Sequence, residues 1–136
     1  YKFDILKTEN HQNFIKNLKE IPSIIICAVG LLGEQKENEN DTELRVKVLR
    51  TNYESPVNII SEFANIFENR GYGTIVGISS VAGDRGRSSN YIYGSAKAGF
   101  TAFLSGLRNR LAKKNIKLKN NLIEIRNIMT ILPATI

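Results

Sequence analysis

A strand that ends in serine and leads into a helix bearing a tyrosine and a lysine one turn apart constrains this chain more than any other feature. Residues 73–111 read GTIVGISSVAGDRGRSSNYIYGSAKAGFTAFLSGLRNRL. Residues 73–79 are β-branched and apolar between glycines, which predicts a buried strand. Residues 81–90, with Gly83, Gly86 and paired serines, predict a loop. From about Tyr91 the spacing becomes helical, with Phe100, Phe103, Leu104, Leu107 and Leu111 three or four apart. Ser80 falls just past the strand end, and thirteen positions on stands Tyr93, with Lys97 four further along the same helix face. Open α/β sheets place ligands where strand ends meet helix N-termini.

The residue types suit carbonyl chemistry. A hydride delivered to a carbonyl leaves an oxyanion that needs a proton. A tyrosine hydroxyl can give one, but its ordinary pKa is about 10. An ammonium nearby stabilises the phenolate and lowers that value. A serine hydroxyl can donate to the substrate oxygen and hold it. The hydride has to come from a cofactor, since no side chain can deliver one. Without such chemistry, Tyr93 would be a half-buried aromatic, Lys97 a solvated helix charge and Ser80 a turn residue.

The segment Ile78-Ser79-Ser80-Val81-Ala82-Gly83, followed by Tyr93-Gly94-Ser95-Ala96-Lys97-Ala98-Gly99, resembles the short-chain dehydrogenases/reductases. Their signature is a serine and, about a dozen residues on, Tyr-x-x-x-Lys. The resemblance implies a Rossmann-like α/β fold, a doubly wound parallel sheet, and an oxidoreductase that interconverts a carbonyl and an alcohol with NAD or NADP. It implies roles for Tyr93 as general acid/base, for Lys97 in lowering the tyrosine pKa and binding the nicotinamide ribose, and for Ser80 on the substrate oxygen. Asn52, in Thr51-Asn52-Tyr53 and twenty-eight residues before Ser80, matches the family's asparagine that interrupts a helix and anchors a proton-relay water; the other reading is a polar residue at a helix kink.

The rest of the chain is read around that centre. Residues 1–6, YKFDIL, predict a short strand. The resemblance implies that Asp4 and Ile5 end the family's third strand and border the adenine; Asp4 could equally be a turn residue. Residues 9–20 carry Phe14, Ile15 and Leu18 at helical spacing after Thr8 as N-cap, with His11 on the surface. Pro22 ends that helix. Residues 23–29, SIIICAV, are continuously apolar and predict a strand buried on both faces. Cys27-Ala28-Val29-Gly30 stands where the family has Asn-Asn-Ala-Gly, so Ala28 and Gly30 would line the cofactor, the glycine kept and the asparagines replaced. Ala28-Val29-Gly30-Leu31-Leu32-Gly33 is also similar to a turn in a branch linked to sugar-lipid and envelope polysaccharide synthesis. Cys27 reads as a buried small hydrophobe.

Residues 34–41, EQKENEND, predict a polar loop. A helix over 41–69 follows, with Leu44, Val48, Leu49, Val57, Ile60, Ala64 and Phe67 on its apolar face and Pro56 kinking or dividing it. Residues 113–121 read as a basic connection and 122–133 as a last strand, with 118–127 as extra material or a drifted region. Pro133 would approach the nicotinamide, although Ala134 follows it where the family has glycine.

At 136 residues the chain predicts a single partial domain, 1–136. The family opens with a glycine-rich βαβα unit that cradles the pyrophosphate, and closes with a substrate loop and strand. Neither is read here, which places catalysis by this stretch alone in doubt and leaves NAD and NADP undistinguished. One cysteine excludes an internal disulfide and fits a cytoplasmic location, one histidine argues against a metal site, and no apolar run is long enough to span a membrane. The net charge of +6 lies largely late, in Arg108, Arg110, Lys113, Lys114, Lys117, Lys119 and Arg126. A solvated helix end accounts for it better than a nucleic-acid partner, because no aromatic residues interleave with the cations. The expected partners are a small carbonyl or alcohol substrate and further copies of the chain, through the helices at 41–69 and 91–113. A non-catalytic remnant acting through those helices is the alternative, and a basic nucleic-acid binder a more distant one.

Overall fold

A computed structural model describes residues 1–114 and 116–123. Three parallel strands, β1 (Ile24–Cys27), β2 (Thr74–Ser80) and β3 (Lys117–Ile123), lie side by side in chain order. Cys27 pairs with Gly77, and Gly77 with Asn120. Between β1 and β2 run α2 (Gln35–Asn40), α3 (Thr42–Leu49), a π-turn (Arg50–Glu54) and α4 (Ser55–Arg70); α5 (Tyr91–Ala112) joins β2 to β3. A short α1 (His11–Lys16) precedes the sheet. Strand, helix, strand with parallel pairing is the α/β plan expected from the sequence.

The core lies on one face of the sheet. Ile59, Ile60, Phe63, Ala64 and Phe67 of α4 and Phe100, Leu104, Leu107 and Leu111 of α5 pack with Ile75, Cys27 and Leu118. Gly77 permits the close seat of α5, since a Cβ there would stand 2.5 Å from Leu104 Cδ1. The opposite face of β1 is bare among the described residues: Ile24 is 59% and Ile26 67% exposed. The expectation of burial on both faces therefore fails for this strand, because no described helix lies across that side.

Other expectations also change. Residues 1–6 form no strand. Asp4 Oδ1 accepts the Leu6 N–H at 3.0 Å and Asp4 O the Lys7 N–H at 3.2 Å, so a local turn uses the backbone groups a ladder would need. Thr8 begins a 3₁₀ turn (Thr8–Asn10) and makes no capping bond; α1 is shorter than its apolar spacing suggests. Asn17 closes it by donating from Nδ2 to Asn13 O at 2.8 Å. His11 is buried, not superficial, with Nε2 2.8 Å from Ile5 O and its ring beside Phe3. Residues 35–40 are helical where a loop was expected, supported by Asn40 Nδ2 donating to Lys36 O and Gln35 to Glu39.

Asp41 caps α3 by accepting from Glu43 N and Leu44 N at 2.8 and 3.1 Å. The long helix is divided at the π-turn around Asn52, not by Pro56, which sits in the first turn of α4 where its missing N–H costs nothing. Leu44 and Leu49 point out to solvent, while Val48, Ile60, Ala64 and Phe67 face inward. β3 begins at Lys117, so the basic connection predicted over 113–121 and the strand predicted from 122 give way to an earlier strand, and residues 118–123 are sheet, not an insertion. No helix among the described residues is long and apolar enough to cross a membrane.

Candidate active site

Tyr93, Lys97, Ser80 and Asn52 meet at the end of the sheet where β1 and β2 give way to their following loops. Ser80 is the last residue of β2, and its Oγ accepts the Ala82 N–H at 3.2 Å, starting a 3₁₀ turn (Val81–Gly83). That turn lies directly against α5: a Cβ at Gly83 would stand 2.7 Å from Ala98 N, and one at Gly94 2.6 Å from Ala82 O. Both glycines are needed for that approach, which sets Ser80 beside Tyr93. The spacing alone did not single them out. Ser79, also unassigned from sequence, braces the same joint by donating to Lys97 O at 3.1 Å and sharing a 2.6 Å bond with Thr101 Oγ1.

Tyr93 is buried, and its Oη has no hydrogen-bond partner of normal geometry. Burial pushes its pKa up, while the neighbouring Ser80 hydroxyl pulls it partly back. An unpartnered hydroxyl in a protein interior is costly unless something else completes it. Lys97 is also buried. Its Nζ donates to Val29 O at 3.1 Å and to Ile78 O at 3.3 Å, and lies 5.8 Å from the Tyr93 ring centroid. An ammonium has three donors, so one remains. Desolvation lowers the Lys97 pKa to about 8, opposed by the charge interaction with Cys27. Lys97 therefore stays charged at neutral pH. The Cys27 thiol is itself pushed up by burial, consistent with a buried small side chain.

Asn52 is fully buried on the π-turn. Its Nδ2 donates to Leu31 O (2.6 Å) and Val48 O (2.8 Å), while Oδ1 accepts from Leu31 N (3.2 Å). It thus clamps the loop after β1. Gly30 lies beneath that clamp, where a Cβ would be 3.3 Å from Asn52 Oδ1 and 3.6 Å from Lys97 Nζ. Gly30 and Ala28 are both exposed. Asp4 and Ile5 are not in direct contact with this group. Their neighbour Leu6 accepts through its carbonyl from Arg50 Nη2 at 3.2 Å, two residues before Asn52. Pro133 lies outside the described residues. Among the described residues no cluster of His, Cys, Asp and Glu could hold a metal ion.

The family model described as short chain dehydrogenase matches residues 1–125. The chain belongs to the short chain dehydrogenase family. An uncharacterised oxidoreductase of Mycobacterium tuberculosis is 40% identical over 93 residues, covering 68% of this chain and 37% of that protein. A second, from Streptomyces coelicolor, is 32% identical over 118 residues, covering 85% and 47%. The 3-oxoacyl-[acyl-carrier-protein] reductase of Chlamydia trachomatis is 29% identical over 107 residues, covering 79% and 43%. The chain thus spans less than half the length of these relatives. Among solved structures, a short chain dehydrogenase from Burkholderia cenocepacia in complex with NADP superposes with a TM-score of 0.75 at 23% identity, over 87% of this chain and 49% of that one. Family and Rossmann-like architecture agree with the sequence expectation.

Proposed function

We propose that this chain carries the catalytic centre of a nicotinamide-dependent oxidoreductase that interconverts a carbonyl and an alcohol. The observation that carries the reading is the buried Tyr93 Oη, which makes no hydrogen bond of normal geometry, beside the Ser80 hydroxyl and on a ring whose centroid lies 5.8 Å from Lys97 Nζ. A carbonyl oxygen would complete it. Ser80 Oγ already accepts from Ala82 N, so its own proton remains to donate to that oxygen. Tyr93 then gives its proton as the alcohol forms, or takes it back in the reverse direction. Lys97 stabilises the phenolate left behind, held in place by Val29 O and Ile78 O.

The residues present suit a nicotinamide cofactor. The third donor of Lys97 is free for a ribose hydroxyl, and the exposed Ala28 and Gly30 leave room beside it. When bound, the cofactor supplies or accepts the hydride. Asn52 fixes the Gly30–Leu31 backbone that would line this space. In this reading Asp4 and Ile5 border the cofactor further out, and either NAD or NADP is compatible. The names of two kinds of relative, 3-oxoacyl-[acyl-carrier-protein] reductase and acetoacetyl-CoA reductase, support a carbonyl substrate. Exposed Leu44, Leu49 and Tyr53 along α3 and the π-turn support self-association of the protein.

The test is titration of the purified chain with NADH and NADPH, followed by nicotinamide fluorescence. The expected result is saturable binding that weakens about tenfold or more in Lys97→Ala, the loss of one charged hydrogen bond. Equal affinity for wild type and Lys97→Ala would remove Lys97 from the cofactor site, and with it the reading.

A further inference from the structure

The loop over residues 84–89 joins Ser80 to Tyr93, and the proposed chemistry leaves it unused. All six of its residues are exposed. Its base is fixed. Gly83 rests on the α5 backbone at Ala98, Asp84 N donates to Val81 O, and Asn90 N donates to Arg87 O at the start of α5. A trans peptide advances the chain by at most about 3.5 Å per residue. The Arg85 Cα is therefore held within about 7 Å of Gly83, and Arg87 is tied to Asn90 by its own carbonyl. Both arginines stay on the short, tethered connection between Ser80 and Tyr93.

Their guanidiniums differ from most others in the protein. Arg45 donates to Asn38 O, Glu39 O and Thr42. Arg50 pairs with Glu54 and Leu6 O, and Arg70 holds Ile21 O and Pro22 O. Arg110 pairs with Glu68 and Asn65. Among the described residues, Arg85 and Arg87 make no ion pair and no side-chain hydrogen bond. Asp84 is the sole carboxylate in the loop, and Ser88 and Ser89 add two hydroxyl donors. Two forked cations and two hydroxyls on one short, tethered loop match the acceptors of a carboxylate or phosphate.

We infer that Arg85 and Arg87 select a substrate carrying an anionic oxygen group, carboxylate or phosphate, beside its reacting carbonyl. The inference rests on the carbonyl–alcohol reading for its reacting end only. Arginines of this loop would bind the anion whether or not hydride transfer follows.

The test measures binding of three small ketones to the chain by ligand-observed NMR: dihydroxyacetone, dihydroxyacetone phosphate and acetoacetate. At least one anionic ketone is expected to bind about tenfold or more tightly than dihydroxyacetone, with a preference that shrinks as salt rises. Comparison of the two anions separates phosphate from carboxylate recognition. The preference is expected to disappear in Arg85→Gln/Arg87→Gln and to persist in Arg108→Gln, another exposed arginine placed near the far end of α5. Equal binding of charged and neutral ketones, or a preference surviving the double substitution, would overturn the inference. Cofactor binding serves as the separate readout for the carbonyl–alcohol reading. A chain that loses NADH affinity in Lys97→Ala yet shows no anion preference retains that reading and loses this one. An anion preference without cofactor binding does the reverse.

Discussion

Replacement of Lys97 by methionine should change how stability depends on pH, and the size of that change follows from the site. Lys97 is buried with no carboxylate paired to it among the described residues, and its pKa falls from 10.5 to about 8. The unfolded chain therefore holds a proton on this lysine across the interval from about 8 to 10.5, where the folded chain has released it. Stability rises with pH wherever the unfolded state binds more protons. The cost of the buried cation is thus fully present below pH 8 and is relieved above it. A pKa fall of that size is worth a few kcal/mol when complete, and between pH 7 and pH 9 the linkage relation gives on the order of 1 kcal/mol. Methionine has no proton to lose. It leaves Val29 O and Ile78 O without their donor, but that loss does not vary with pH. Urea unfolding of both proteins at pH 7, 8 and 9 isolates the effect. The wild type should gain on Lys97→Met by on the order of 1 kcal/mol over the range, a relative midpoint shift of roughly 0.5 M urea. Making the comparison in a Cys27→Ala background removes the thiol whose charge interacts with Lys97. A difference that stays flat, or falls with pH, would refute the reasoning that Lys97 is a desolvated cation.

Three further outcomes follow from the geometry. Tyr93→Phe should cost about 10²–10⁴ in the rate of carbonyl reduction while leaving thermal unfolding equal to or slightly above wild type, because it removes a buried hydroxyl without a partner; a large loss of stability would show that Oη is bonded in the fold. Gly83→Ala should destabilise by about 1–3 kcal/mol in a denaturant melt, since its Cβ would meet backbone and not a movable side chain, and Gly86→Ala, with nothing within 4 Å, should fall within about 0.5 kcal/mol of wild type. Ile75→Ala should cost about 2–5 kcal/mol, against about 0.5 kcal/mol or less for Ile26→Ser on the bare face of the same sheet, as read by urea midpoints.

The site was more legible in the sequence than the peripheral structure. Ser80, Tyr93 and Lys97 are joined by one strand and one helix, so their separations are set by local geometry, and the structure brings them together. The π-turn at Asn52 was foreshadowed only by the asparagine; nothing in the spacing of Val48 and Ile60 announces an extra residue. The first strand failed because Asp4 satisfies the backbone locally, which period-two alternation in a six-residue window does not reveal. The surface position expected of His11 fails because its burial depends on Phe3 and Ile5, residues outside its own helix. β3 was displaced because its first residues are lysines and asparagines, whose strand pairing to β2 is a tertiary matter. The burial of β1 was overestimated because an apolar run states what a strand tolerates on each face, not which helices reach it.

The π-turn has a consequence for how this chain tolerates length changes. One residue in an α-helix is worth about 100° of rotation and 1.5 Å of rise. The wide turn at Arg50–Glu54 absorbs such an increment and keeps Asn52 inward while α4 meets the sheet with Ile60 and Phe67. Deleting one residue there would draw the ladder toward ordinary α-helix, with Pro56 still lacking an N–H to donate. It would also swing one half of the helix a quarter-turn against the other, so that either the asparagine or the core stripe faces water. A deletion that looks harmless on a helical wheel would then separate the folding of this helix from its place at the site.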